Sequence, residues 1–178
     1  LYRDLHQAGQ REGTLRLAGI NLRRNDTDEG IALLQSWLRS NPTDQAARIL
    51  LSGALLQDDQ SINAISEYEK LISTGNPVVL NNLAWLYMEQ GDPRAEEIGA
   101  KAYAAAPDNP DIADTYGWIL VQNGKVRKAL DVMSGAITLE TKNPTALYHL
   151  SVARYRAGEP IQARRLLQRA LETPRFPE

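Results

Sequence analysis

Large apolar residues followed directly by small ones recur along the chain, and each pair lies in a segment that predicts a helix. The pairs return after about 34 residues, and they are Leu17-Ala18, Leu51-Ser52, Leu83-Ala84, Tyr116-Gly117 and Leu150-Ser151. A period of that length is typical of stacked helical hairpins, because one hairpin cannot bury its apolar face alone. The pattern predicts an all-α fold, a right-handed α-solenoid of five hairpins and ten antiparallel helices, with no strand.

Small residues predict where the two helices of each hairpin cross. The small member of each pair would lie on the first helix, where the backbones approach. Its partners on the second helix would be Ala64, Ala95, Ala129 and Ala163. The turn between the two helices would be formed by Gly91, Gly124 and Gly158 in the last three hairpins and by Asn25 and Asp59 in the first two. All three residue types tolerate the left-handed conformation that ends a helix.

Four Asn-Pro pairs mark the junctions between hairpins. They are Asn41-Pro42, Asn76-Pro77, Asn109-Pro110 and Asn143-Pro144, spaced 35, 33 and 34 residues apart. Proline suits the first turn of a helix, and asparagine suits the cap before it. Pro42 stands nine residues before its Leu-small pair, whereas the later prolines stand six before theirs. The frame is therefore weakest at Pro42.

The landmarks divide the chain into units within one continuous domain. The predicted units are 11–44, 45–76, 77–109, 110–143 and 144–178, and residues 1–10 are expected to end a helix of a preceding unit. Because the chain begins at Leu1 and not at a methionine, we expect a fragment or processed product from which a signal peptide or lipid anchor could be missing.

The composition of the chain argues against several classes of function. The chain is 43% apolar and 24% charged, which is typical of a globular protein, and no run approaches the roughly 18 apolar residues of a membrane-spanning helix. A net charge of −2 argues against nucleic-acid binding, which needs a clustered basic surface. The absence of cysteine excludes disulfides, thiolate nucleophiles and cysteine zinc sites.

Catalytic motifs are not found in the sequence. His6 and His149 lie in different units without metal-ligand spacing, and the adjacent carboxylates Asp58-Asp59 and Glu96-Glu97 do not converge on one site. The sequence contains no Gly-rich phosphate loop and no GxSxG motif. It therefore predicts neither an enzyme nor a cofactor or metal site.

Residues 11–178 resemble the tetratricopeptide repeat family. Its pattern is a Leu-small pair in helix A, glycine at the turn, two alanines in helix B and proline at the junction, and the resemblance is strongest in the last three units. The family's usual tryptophan at the fourth position is absent. The resemblance implies a non-enzymatic scaffold that binds a peptide or partner protein in a concave groove lined by the A helices.

Three strings in the last units resemble a narrower group. Residues 81–87 (NNLAWLY), 114–121 (DTYGWILV) and 148–153 (YHLSVA) are similar to the C-terminal repeats of bacterial PEP-CTERM system TPR-repeat lipoproteins. That resemblance implies a role in envelope protein sorting or exopolysaccharide export. It also implies a periplasmic or outer-membrane-anchored location.

The family pattern also indicates which residues line the groove. They occupy the second, fifth, sixth, ninth, twelfth and thirteenth positions of the last three units. The predicted groove residues are Asn81, Asn82, Trp85, Met88, Glu89, Asp111, Asp114, Thr115, Trp118, Gln122, Tyr148, His149, Tyr155 and Arg156. Aromatic anchors beside convergent polar groups suit a peptide or sugar ligand.

Alternatives remain open at this point. Trp85 and Trp118 can equally be packing residues between repeats, with Asn82, Thr115 and His149 satisfying one another or a helix end. The corresponding positions of the first two units are mostly apolar or small, and the carboxylate clamp of chaperone-binding members is not reproduced. The chain can also be a structural or regulatory segment of a larger protein that binds through its convex face or its ends.

The two ends of the array give opposite expectations. The final helix, from Ile161 to Leu171, should present a polar outer face made of Arg164, Arg165, Gln168 and Arg169, and Pro174 and Pro177 should stop it. The first unit shows no such cap. We therefore expect a tendency toward end-to-end self-association.

Overall fold

Ten α-helices account for most of the described chain, which in this computed structural model comprises residues 10–172. The helices are α1 (Arg11–Arg23), α2 (Thr27–Ser40), α3 (Gln45–Gln57), α4 (Ser61–Glu69), α5 (Pro77–Glu89), α6 (Ala95–Ala105), α7 (Pro110–Gln122), α8 (Val126–Ala136), α9 (Pro144–Arg156) and α10 (Pro160–Glu172), with a 3₁₀ turn at Ile72–Thr74. Residues 10–172 contain no strand, so the predicted all-α class with ten helices is confirmed. The predictions for residues 1–9 and for Pro174 and Pro177 lie outside the described residues.

The chain divides into two compact units, and the boundary between them lies between Thr74 and Gly75. The first unit contains the hairpins α1–α2 and α3–α4, and α2 also packs on α3. The second unit contains the hairpins α5–α6, α7–α8 and α9–α10. In the second unit the first helix of each hairpin contacts the first helix of the next, so that α5, α7 and α9 lie side by side. We call these three the A helices and α6, α8 and α10 the B helices.

Asparagine caps begin all three A helices of the second unit. The side-chain oxygens of Asn76, Asn109 and Asn143 each accept hydrogen bonds from two backbone N–H groups, and a proline follows at the first helical position. The Pro42 junction is built differently. There the helix begins three residues later, because Asp44 caps α3 and accepts from the N–H of Ala47 at 3.2 Å. This later start explains the longer spacing that the sequence shows after Pro42.

The turns within the hairpins have the predicted conformation. Gly91, Gly124 and Gly158 have φ values of 68°, 75° and 83°. Asn25 and Asp59, which take their place in the first unit, have φ values of 67° and 56°. Asparagine and aspartate adopt this left-handed region more readily than other residues with a side chain, so they can replace glycine at a helix end.

Small residues bring the helices of each hairpin together as predicted. Ala84 and Ala95 are buried in α5–α6, Gly117 and Ala129 in α7–α8, and Ser151 and Ala163 in α9–α10. The closest approach is at Gly117, where an added Cβ would lie 2.2 Å from Cγ of the fully buried Met133. This crossing belongs to a core cluster that joins α7, α8, α9 and α10. The cluster fixes the positions of α7 and α9 relative to one another.

The last helix has a less polar outer face than the sequence predicts. Arg164, Arg165 and Gln168 are exposed as expected, but Arg169 is partly buried and its Nε donates to the carbonyl oxygen of Leu139 at 3.0 Å. Ile161 and Leu171 are 82% and 80% exposed. Three of the four predicted polar residues therefore lie on the outer face, which also carries these two apolar side chains.

Candidate partner-binding face

Four ring-bearing side chains form a continuous row across the A helices of the second unit. Trp85 on α5, Trp118 on α7 and Tyr148 and His149 on α9 make up this aromatic row. The ring of His149 stacks on Trp118 at a centroid distance of 4.1 Å and an angle of 12°, and it lies 6.5 Å from the ring of Trp85. Tyr148 lies 6.4 Å from Trp118. The aromatic row therefore contains residues from three different hairpins.

The two tryptophans of the row are neither buried nor fully exposed. Trp85 and Trp118 have intermediate exposure, and Trp118 packs against the core cluster with part of its ring. Tyr148 is 47% exposed. A large ring that is held on one side by the core and open on the other is a rigid contact surface, since binding would cost it little conformational entropy.

A buried pair of polar side chains holds His149 in the row. Its Nδ1 lies 2.9 and 3.1 Å from the two carboxylate oxygens of Asp114, and the two residues are only 5% and 7% exposed. A carboxylate can only accept, so Nδ1–H of His149 donates to Asp114. Burial raises the pKa of the Asp114 carboxyl above its usual range, while its hydrogen bond and charge interaction with His149 act in the opposite direction. Asp114 therefore orients the imidazole from beneath the row.

Other predicted groove residues lie at the base of the face. Thr115 is buried, and its hydroxyl donates to the backbone carbonyl of Asp111 at 3.1 Å. The Oδ1 of Asn81 is buried and has no hydrogen-bond partner within residues 10–172. Asn82 is partly buried. The Thr115 hydroxyl and the Asn81 Oδ1 are thus covered, so their contribution to a ligand contact would be indirect.

The expected exposure of Asp114, Thr115 and His149 is not observed. Each is 5–7% exposed, and Asp114 and His149 contact one another between α7 and α9. The family pattern identifies the face of the helix correctly but does not report how closely the next helix approaches. The alternative in which polar residues satisfy one another is thus realised for Asp114 with His149, while the tryptophans keep an open side.

The remaining predicted residues lie at the two ends of the face. Asp111 is exposed at the start of α7 and accepts from the side chain of Asn143 at 3.2 Å. Tyr155 is exposed at the end of α9, and Arg156 donates to the carbonyl oxygen of Val121 at 2.9 Å. Met88, Glu89 and Gln122 help to line a depression of about 390 Å³ near the ends of α5 and α7.

The first unit has a different arrangement of its tryptophan. Trp37 donates its indole N–H to Asp44 at 3.0 Å, and Arg11 donates to the same carboxylate at 2.7 Å. The Arg11 guanidinium, with the indole N–H, holds the pKa of Asp44 far below its usual range. Sequence reasoning did not find this cluster, whose only local signal is the Asp before Gln45 at a helix start. This cluster stabilises the junction before α3, and it contains no row of aromatic rings.

Residues 10–172 hold no group of three or more His, Cys, Asp or Glu side chains placed to bind a metal. None of the helices in that range is both long enough and apolar enough to cross a membrane.

Comparison with known proteins supports the fold. Residues 117–178 match the family model of the tetratricopeptide repeat. The crystal structure of YrrB, described as a TPR protein with an unusual peptide-binding site, superposes with a TM-score of 0.75 at 14% identity and covers 96% of this chain and 90% of its own. No curated protein sequence matches the chain significantly.

Two further solved structures have the same architecture. PilF of Pseudomonas aeruginosa has a TM-score of 0.77 at 20% identity, with 94% of this chain and 78% of PilF covered. Residues 41 to the end of MamA from Desulfovibrio magneticus RS-1 have a TM-score of 0.76 at 16% identity, with 90% and 92% covered. At such identities the likeness shows the fold alone. The chain therefore has the helical fold of tetratricopeptide repeat proteins.

Proposed function

We propose that this protein is a non-enzymatic scaffold that binds a peptide or a partner protein on the A-helix face of its second unit. The observation that carries the proposal is the aromatic row of Trp85, Trp118, Tyr148 and His149. Interface residues that dominate binding energy are enriched in tryptophan and tyrosine held in well-packed surroundings. Here the core cluster supports Trp118 on one side, and Asp114 holds His149, which stacks on the same ring.

The location of polar groups around the row fits a main-chain ligand. A bound peptide presents N–H donors and carbonyl acceptors, and the indole N–H groups of Trp85 and Trp118 are donors of the kind that a carbonyl accepts. Aromatic faces beside a few fixed polar groups are the usual composition of a binding site. The residues of the first unit do not repeat this combination, so the proposed site belongs to the second unit.

We further propose that the scaffold works in a bacterial envelope system for protein sorting or exopolysaccharide export, on the periplasmic side or anchored to the outer membrane. The support for this is the similarity of residues 81–87, 114–121 and 148–153 to PEP-CTERM system TPR-repeat lipoproteins. Fractionation of the source cells tests the location. A protein found wholly in the cytosolic fraction would overturn this part of the proposal.

Partner capture by the immobilised protein tests the site itself. Trp85→Ala and Trp118→Ala should abolish capture from an envelope extract while the far-UV circular dichroism spectrum stays that of the wild type. Ile62→Ala is the matched control, because Ile62 is an exposed apolar residue of α4 in the first unit, and it should capture normally. If the tryptophan variants unfold, Tyr148→Ala replaces them in the test, because Tyr148 is exposed and its loss should not disturb the core. Normal capture by a folded Tyr148→Ala and a folded Trp118→Ala would refute the proposed face.

A second candidate function is binding through the last helix. Two exposed leucines, Leu167 and Leu171, favour it. The residues at the same positions one repeat earlier, Met133 and Ile137, are buried. A partner helix seated there would lie beside Arg164 and Arg165. Capture that survives Trp118→Ala but is lost in a Leu167→Ser/Leu171→Ser variant would favour this candidate, as would end-to-end association of the wild type that the same variant removes.

A further inference from the structure

The last hairpin exposes apolar side chains at positions that are covered in the hairpin before it. Tyr155 and Leu171 are 70% and 80% exposed. Their counterparts 34 residues earlier, Val121 and Ile137, are 0% and 2% exposed. Both counterparts lie in the core cluster that α9 completes, whereas no helix within residues 10–172 follows α10 to complete a second such cluster.

The exposed leucines lie on the side of α10 that faces away from α8. Arg169 marks the opposite side, because its guanidinium donates to the carbonyl oxygen of Leu139 in the loop after α8. Leu171 is two residues further along, which on a helix is a rotation of about 200°. Leu167 lies one turn before Leu171 and on the same side. We use the name end face for the surface formed by Tyr155, Arg164, Arg165, Leu167, Gln168 and Leu171.

Helix α9 shows what kind of element packs on this side of a hairpin. It contacts both α7 and α8. It does so through an apolar stripe of small residues and leucines, which is Ala146, Leu147, Leu150 and Ala153. Because the end face repeats the positions of that interface on α9 and α10, a helix with a similar stripe has the same kind of surface to pack on.

The charged residues of the end face differ from those of the earlier interface. On α8, Asp131 and Ser134 line one depression with Arg154 of α9, which donates to the Ser134 hydroxyl at 2.9 Å. The counterparts on α10 are Arg165 and Gln168. A basic side chain at the place of Arg154 would therefore meet an arginine instead of an aspartate, and an acidic one would be favoured.

The other charges of the last hairpin do not neutralise this basic character. Arg164 and Arg165 are exposed and form no ion pair within residues 10–172. Glu172, the one acid of α10, accepts from the side chain of Gln168 at 3.1 Å. The remaining charged residues bond to one another or to residues before α9, and they are Arg154, Arg156, Glu159 and Arg169. Three of these four are arginines, so they add to the positive charge.

We propose that the end face binds an amphipathic α-helix of another protein. The apolar stripe of that helix, made of small residues and leucines, packs on Leu167 and Leu171, and an acidic residue at its flank lies beside Arg165. The inference extends the second candidate function and does not depend on the aromatic row. A second copy that met this face with its own end face would bring unpaired arginines together, which repel one another.

Two labelled helical peptides test the proposal on the full chain. Each is about 18 residues long, since shorter helices are marginal in water, and carries the stripe of two alanines and two leucines in the spacing of α9. They differ only at the place that corresponds to Arg154, which is glutamate in one peptide and lysine in the other. Fluorescence anisotropy at about 150 mM salt measures both affinities, because that ionic strength screens non-specific attraction.

The glutamate peptide should bind about fivefold more tightly than the lysine peptide. Arg165→Glu should remove that preference, whereas Arg39→Glu, an equal change of charge at an exposed position of α2, should keep it. Leu167→Ser/Leu171→Ser should abolish binding of both peptides. Its matched control is Ile62→Ser, at an exposed apolar position of α4, which should bind both like the wild type. Far-UV circular dichroism checks that each variant is folded.

Equal binding of the two peptides would overturn the proposal, as would a preference that Arg165→Glu leaves unchanged. Absence of binding by either peptide would overturn it too, and so would binding that survives in the double leucine variant. Sedimentation velocity identifies the other occupant: a wild-type protein that self-associates and becomes monomeric in the double leucine variant has a second copy on the end face, which contradicts the proposal. The capture experiment on the aromatic row is independent, because it measures a different face.

Discussion

The crossing of α7 and α8 allows a quantitative prediction about packing. A Cβ built on Gly117 would lie 2.2 Å from Cγ and 2.5 Å from Sδ of Met133, whereas ordinary carbon contacts begin near 3.5 Å. Met133 is fully buried, so it must move by more than about 1 Å into a filled core if alanine replaces Gly117. The sequence pattern places a small residue here, and the distance shows that only glycine fits without rearrangement.

The expected cost follows from two opposing effects. Overpacking of a core costs about 1–3 kcal/mol, and alanine in a helix interior gains about 1 kcal/mol over glycine. We therefore expect Gly117→Ala to lower the free energy of unfolding by up to about 2 kcal/mol, with a fall in Tm of roughly 4–8 °C for each kcal/mol in a unit of this size. Urea unfolding followed by circular dichroism measures the change.

Two variants make this prediction refutable. Gly135 lies in α8 with no atom within 4 Å of an added Cβ, so Gly135→Ala should be neutral or slightly stabilising. Met133→Ala should cost less in the Gly117→Ala background than in the wild type, because the added methyl group fills part of the space. If Gly117→Ala is as stable as Gly135→Ala, or if the Met133→Ala effect is additive, the close approach described here is wrong.

Further predictions concern caps and titrating groups. Asn109→Ala should lower the free energy of unfolding by about 1 kcal/mol, because two backbone N–H groups lose their acceptor. Asn109→Asp should retain the stability of the wild type, and equal losses for both variants in urea unfolding would contradict the cap. Arg11 holds the pKa of Asp44 well below its usual value, so the carboxylate stabilises the fold above about pH 4 and this contribution is lost as the pH falls. Asp44→Asn should therefore flatten the loss of stability below about pH 4, and an unchanged slope would refute the pairing. Asp114 should behave oppositely, because burial raises its pKa. Its contribution to stability is greatest at low pH and declines as the pH rises through the raised pKa. Asp114→Asn should remove that decline.

Local chemistry in the sequence was enough to predict the hairpins and their turns. Asn25 and Asp59 stand where later repeats have glycine, and they adopt the same left-handed conformation because their short polar side chains tolerate it. The Asn-Pro frame failed to locate a helix start only at Pro42, where Asp44 provides a nearer cap. Such features depend on a few neighbouring residues, and so they are visible in one sequence.

The candidate site was predictable only in part. The repeat frame placed Trp85, Trp118 and His149 at comparable positions on one face, which the structure brings together. It did not predict that His149 is buried against Asp114. Burial at those positions depends on how closely the next A helix packs, which a spacing pattern does not encode. The exposed Leu171 on the last helix was missed for the same reason, since its exposure depends on what packs beside it.

The most direct test of the proposed face uses the three tryptophans of the chain as separate reporters. In a two-dimensional ¹H–¹⁵N NMR spectrum each indole N–H gives its own signal, and Trp37, whose N–H donates to Asp44 in the first unit, is an internal control. On titration with the captured partner, the signals of Trp85 and Trp118 should shift together while that of Trp37 stays in place. A partner that binds and leaves Trp85 and Trp118 unchanged would contradict the account.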